Sequence, residues 1–331
     1  SIPDLSHQAV KGGQITTFEE GIVTGIGCLI VGLQGVEDFA DFLKFLAVCR
    51  YGPRFQTLCE EYGLKPTYLS NFEMISDSFF RDFAGDKQAL GLCEVGMHLH
   101  AWNSPPVGDP LPAGKDPGAA YLIEYPENRM EEKIAFLTER IELCFGQKPI
   151  SHRAGRWTTN ETYFRLLDKY GYRADCSITP GMDWSGHSGR TQGSKGSDYR
   201  GAPHSPYRIP GTSVQEYPVS VYFDHQFYLP DPPTPKNMAR TLVHAKRGNT
   251  LWLRPNGRNL QECLGVLRHN QAPGEPDYVM FMLHSSELMP GGSPTFRTEA
   301  QIEHLYWELA AIFSKARSLG YTGATFREAE T

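Results

Sequence analysis

The feature that most constrains this chain is a junction that recurs along it: an amphipathic helical run, then Gly, then a short stretch of strand-forming residues. It appears as LCEEYG before Leu64–Ser70, LCFG before Gln147–His152, LLDKYG before Tyr172–Ile178, VHAKRG before Asn249–Leu253 and ARSLG before Tyr321–Phe326. Glycine fits the left-handed backbone that ends a helix, so each junction predicts a helix-to-strand turn. Strands are further expected at Cys28–Leu33, Glu94–His100 and Tyr278–His284, with helices at Tyr51–Tyr62, Glu127–Phe145 and Thr298–Ser318. Strands that read as nearly continuous apolar runs suit a parallel sheet covered on both faces. The expectation is therefore an α/β chain, a distorted (β/α) barrel of about seven βα units. Residues 1–21 read as an N-terminal arm and 22–331 as a single domain. The segment Pro180–Gly211 is too long for an ordinary connection and is expected to be a functional or mobile loop.

Composition narrows the function. Hydrophobic residues make up 40% of the 331, enough for a large core, which excludes disorder and collagen. With 32 Lys and Arg against 38 Asp and Glu, no basic excess exists to neutralise a nucleic-acid backbone. The longest apolar stretch, Ile22 to Leu33, is broken by Gly25, Gly27 and Gly32 and is too short to span a bilayer. It also lacks the marks of a signal peptide. Seven cysteines, odd in number and without a CxxC pair, fit free thiols in a reducing, cytoplasmic setting. Self-association is left open.

In a parallel barrel the chemistry stands where strands end. His98 and His100, two apart in one strand, project from the same face, and neutral imidazoles bind zinc, although two core histidines would look the same. His284 ends the run Tyr278–His284 where a general acid or base would sit. Arg153 and Arg156 follow the strand at Ile150 and suit substrate oxygens or a surface ion pair. Glu37 and Asp38 follow the first strand, as candidates for a cation site or as helix caps.

Together these strand ends resemble the polysaccharide deacetylase family, the metal-dependent N-deacetylases with a chitooligosaccharide deacetylase homology domain. EVGMHLHAW is similar to its histidine motif, SHRAGRW to its arginine motif, DCSITPGMDW to its Trp-bearing motif and MLHSSEL to its final histidine motif, in the family's order. The resemblance implies a distorted barrel holding a divalent metal, usually zinc, by one Asp and two His. Carried over, it makes Asp38, His98 and His100 the metal ligands, with His100 standing in for a histidine where this chain has Trp102. Glu37 becomes the base, Arg153 its orienting group and His284 the general acid. Trp102, Arg156 and Trp184 would line a pocket for an N-acetylated sugar or glycan precursor. The departure is the first motif, where the family's paired aspartates are missing. A rival match, TFEEG with Glu19 and Glu20, resembles an allantoinase-like branch that opens cyclic amides. A non-catalytic carbohydrate-binding relative is a further alternative.

Overall fold

A computed structural model describes residues 26–31, 49–107 and 119–330. Glu19, Glu20, Glu37, Asp38 and the arm at 1–21 lie outside the described residues. β1 (Ile26–Val31) is followed by α1 (Gly52–Glu61), β2 (Pro66–Ser70) and two helices, α2 (Phe72–Ser76) and α3 (Ser78–Ala89). β3 (Glu94–Leu99), α4 (Glu127–Phe145), β4 (Ser151–Ala154), α5 (Glu161–Lys169) and β5 (Ala174–Asp175) come next. The chain then runs through β6 (Tyr207–Arg208), β7 (Gln215–Glu216), β8 (Val221–Asp224), α6 (Pro235–Arg247) and β9 (Asn249–Trp252). It ends with α7 (Leu260–His269), β10 (Met280–His284), α8 (Glu299–Ser318) and α9 (Phe326–Ala329).

The expected helices form where their patterns place them, and local chemistry says why. Thr298 caps α8 by accepting from Gln301 N while Gln301 reaches back, a capping box. Gly146 ends α4 at φ 66°, a left-handed conformation that a side chain would oppose. Strands β2, β3 and β4 are buried at every position, as a sheet covered on both faces requires.

The strands pair in the order β10-β1-β2-β3-β4-β5-β7-β6, all parallel except β6 against β7. The expected barrel is corrected here, because the sheet does not close. β8 and β9 pair antiparallel and only with each other among the described strands, which satisfies their facing edges without continuing the main ladder. Single hydrogen bonds span the gap: Met280 N to Ser220 Oγ (2.8 Å), Met282 N to Leu253 O (3.2 Å) and Val219 N to Ile178 O (2.9 Å).

β5 is also shorter than the expected Tyr172–Ile178. Two carboxylates take over from the neighbouring strand, Asp175 Oδ2 accepting from Ser177 N (2.9 Å) and Glu216 Oε1 from Ile178 N (3.0 Å). The segment Pro180–Gly211 folds back on itself, with Trp184 N donating to Ser197 O (2.9 Å) and Gly196 N to His187 O (2.9 Å). Among the described residues no helix is long and apolar enough to cross a membrane.

The strand that carries the histidines packs tightly. A Cβ on Gly96 would collide with Ser151 Oγ and come within 2.9 Å of both Leu69 Cδ2 and Ser151 O. Gly96→Ala is therefore expected to destabilise the fold by about 1–3 kcal/mol, read as a lower urea midpoint.

Candidate active site

The parallel register places the ends of β10, β1, β2, β3 and β4 on one edge, Ile30 level with His284 and Val31 with Ser70. His98 and His100 leave the end of β3 with ring centres 4.6 Å apart. His98 Nδ1 lies 2.9 Å from Arg153 O. A carbonyl only accepts, so Nδ1 carries the proton and Nε2 keeps its lone pair. His100 Nδ1 faces the amide nitrogen of Asn71 at 3.5 Å. That amide is oriented because Asn71 Oδ1 accepts from Met74 N to cap α2. At the outer limit of hydrogen bonding this contact holds the His100 tautomer only weakly. The His100 ring stacks on Trp102, centroids 4.4 Å apart, and the Arg156 guanidinium stands 5.4 Å from the Trp102 ring.

Both imidazoles are held neutral. Burial drives His98 well below the ordinary range, helped by His100, and burial with the His284 and Arg156 charges takes His100 down to about 3. Burial lowers His284 as well. Arg254 Nη2 donates to His284 Nδ1 at 2.9 Å and to Glu287 Oε1 at 2.9 Å. Glu287 Oε2 accepts the His284 backbone N–H at 2.8 Å and lies 3.3 Å from the ring. Burial pushes the Glu287 carboxyl up, but the hydrogen bond with His284 and the Arg254 charge outweigh it and hold it at about 2. Nδ1 thus faces a group that only donates, Arg254 Nη2, and a group that only accepts, Glu287 Oε2: the first contact puts the ring proton on Nε2, and the second puts it on Nδ1 and favours the imidazolium.

Arg153 is fully buried. Its Nε donates to Cys176 O (2.8 Å), Nη2 approaches Met280 Sδ (3.2 Å), and the guanidinium lies 4.9 Å from the Trp157 ring. Asp175 and Glu216 are the buried carboxyls of this region. Asp175 Oδ1 accepts from His152 Nδ1 (2.5 Å), whose Nε2 meets Tyr163 OH at 2.8 Å. Burial raises both carboxyls. In Asp175 the His152 hydrogen bond and charge reverse this, whereas the Asp175 charge pushes Glu216 further up, so Glu216 is the neutral member. Arg156 and Trp157 adopt φ 54° and 60°, left-handed backbone that strains any residue with a side chain.

Trp184 donates from Nε1 to Thr179 Oγ1 (2.8 Å), and Trp252 stands between it and Trp157, with ring centres 6.3 and 5.7 Å away. Thus His98, His100, Trp102, Arg153, Arg156 and His284 meet in one region by direct contact or electrostatic interaction. Trp184 belongs to the adjoining tryptophan wall.

Sequence reasoning passed over Arg254 and Glu287, although Arg254 ends the strand Asn249–Leu253 and the strand-end test would have found it. It also passed over Glu73, which burial raises to about 7, with Oε1 bonded to Asn103 Nδ2 and Oε2 buried without a partner. Among the described residues no group of three or more His, Cys, Asp or Glu is arranged to hold a metal. The donor chemistry nevertheless fits two ligands, since His98 offers a bare Nε2 and both rings are kept in the neutral, ligating form.

Two outcomes follow. Glu216→Gln replaces a neutral acid by a neutral amide and should cost under about 1 kcal/mol, whereas Asp175→Asn strips the buried anion and should cost about 3–5 kcal/mol, both measured by urea unfolding. Histidines with lowered pKa values bind protons more readily in the unfolded chain than in the folded one. In chelator-treated protein, stability should therefore fall as pH drops from the ordinary imidazole value of 6.5 towards the His100 value of about 3. His100→Gln should flatten that slope in pH-dependent melting curves.

No family model matches this chain, and no curated protein matches it. Solved structures do. A Mycobacterium smegmatis protein assigned to the polysaccharide deacetylases superposes with a TM-score of 0.51 at 14% identity, over 95% of this chain and 91% of its own. A GH57 branching enzyme from Thermococcus kodakaraensis gives 0.52 at 10% identity, over 93% of this chain and 70% of its own. A 4-alpha-glucanotransferase from Thermococcus litoralis gives 0.53 at 12% identity, over 92% of this chain but 40% of its own. At these identities the likeness speaks for architecture alone: the chain has a polysaccharide-deacetylase-like fold.

Proposed function

We propose that this protein is a metal-dependent hydrolase that removes an N-acetyl group from a sugar or glycan precursor. The observation that carries the reading is the meeting of three neutral histidines, His98, His100 and His284, at the ends of β3 and β10. Fold alone does not choose among carbohydrate chemistries, because glycan-rearranging enzymes share it. The site does. Glycosyl transfer needs two carboxyl groups flanking a sugar, and here Glu287 is engaged by Arg254 and His284.

His98 and His100 would hold a divalent cation, zinc by ligand type, with Asp38 as the third donor. A bound cation supplies Lewis acidity to the acetyl carbonyl and a water nucleophile at neutral pH. Glu37 accepts the proton of the attacking water. His284 delivers a proton to the departing amine as the imidazolium, which the Glu287 carboxylate beside its ring stabilises. Arg153 fixes His98 through its carbonyl, and its buried charge adds to the field that keeps the imidazoles unprotonated. Arg156 and the tryptophans Trp102 and Trp184 contact the sugar.

The test combines metal analysis with acetate release from N-acetylated chito-oligomers. The purified protein is expected to retain zinc and release acetate, His98→Ala to lose the metal while still folding, and Glu37→Gln to keep the metal but not turnover. Zinc retained with no acetate from any N-acetylated sugar would instead identify a binding protein. Unchanged metal in His98→Ala would remove that residue from the site.

A further inference from the structure

A second cavity, of about 530 Å³, lies on a different part of the molecule, between α6, the start of β9 and the loop leading into α7. Its size falls within the roughly 300–1,000 Å³ of small-molecule sites. The helix over it is turned the wrong way round for ordinary packing. An amphipathic helix sets its apolar stripe against the body of the protein. In α6, Asn237, Arg240, Thr241 and His244, spaced i, i+3, i+4, i+7, line the cavity, while Leu242 and Val243 on the opposite side are 63% and 48% exposed. The facing wall is polar as well, carrying Arg258 and Glu262. Tyr228, Leu229, Pro230 and Pro294 also line it, but most of the lining surface is polar, so closing it would bury little apolar area.

The rim is built rather than loose. Asn259 Oδ1 accepts from Asn256 N (2.8 Å) and its Nδ2 donates to Arg254 O (3.0 Å), while Asn256 Oδ1 accepts from Arg258 N (3.1 Å). Asn249 is fixed by Asp224 Oδ1 (3.0 Å) and Gln226 O (2.6 Å). Arg240 acts electrostatically on Glu262, whose carboxyl burial raises. Neither Arg240 nor Arg258 makes an ion pair among the described residues, and both line the groove, one from α6 and the other from the loop before α7. Two guanidiniums in a cleft rich in amides and hydroxyls match a ligand with a carboxylate among several hydroxyl groups.

We infer that this groove is a binding site for an acidic saccharide, in which Arg240 and Arg258 clamp a carboxylate and the Asn and Thr side chains take the hydroxyls. It is independent of the deacetylase reading, since none of its residues belongs to the histidine cluster. The probe is tri-galacturonate, with N-acetylated chitotriose as the neutral counterpart and inorganic phosphate as the bare anion. Titration calorimetry on chelator-treated protein should show saturable binding of tri-galacturonate that weakens with salt. Arg240→Ala and Arg258→Ala should each weaken it about tenfold, one charged hydrogen bond's worth. Arg240→Lys should recover part of the affinity, and His98→Ala should bind like the parent. Both arginines are exposed, so melting temperature is expected to hold in the variants. Failure of tri-galacturonate to bind, binding undiminished in Arg240→Ala plus Arg258→Ala, or equal binding of chitotriose or phosphate would each overturn the inference.

Discussion

A guanidinium sealed inside the sheet is the constraint from which the rest of this structure follows. An unpaired charge at full burial costs far more than a domain's net stability, so Arg153 demands an anion nearby. The Arg153 charge acts on the buried Glu216 carboxyl, which Asp175 pushes towards its neutral form, while Asp175 itself is held ionised by His152. That arrangement explains three features at once. β5 stops after two residues, and beyond Cys176 both carboxyls accept the backbone N–H groups of Ser177 and Ile178. Tyr163 and His152 are drawn in to complete the hydrogen bonding. The Arg153 carbonyl is held where it sets the His98 tautomer.

Much of this architecture was legible in the chain. Helices α4 and α8 match their expected ranges because propensity, capping and periodicity agree there. The convergence of His98, His100 and His284 was readable because strand ends in a parallel sheet share an edge. Ring closure was not readable. The run Asn249–Leu253 follows a helix and a glycine as other strands do, and nothing local reveals that β9 pairs antiparallel with β8. Partner choice in a sheet is a long-range property, set by which edges remain free. Glu73 escaped for a related reason: its raised pKa comes from burial beside Asn103, thirty positions away.

The break in the ring and the inverted helix belong to the same part of the chain. Where a βα unit would have buried an apolar helix against the sheet, the β8–β9 pair leaves α6 over a polar cleft with Thr241 as its buried residue. The loop after β9 then serves two places, sending Arg254 to His284 and Arg258 to the cleft.

The left-handed backbone at Arg156 and Trp157 bears on the history such a chain can have. Each position holds roughly 1 kcal/mol or more of conformational cost that a glycine would remove. Selection for heat resistance alone would discard it, so its presence in a loop that aims a cation at Trp102 marks a place where durability was surrendered to keep a posture.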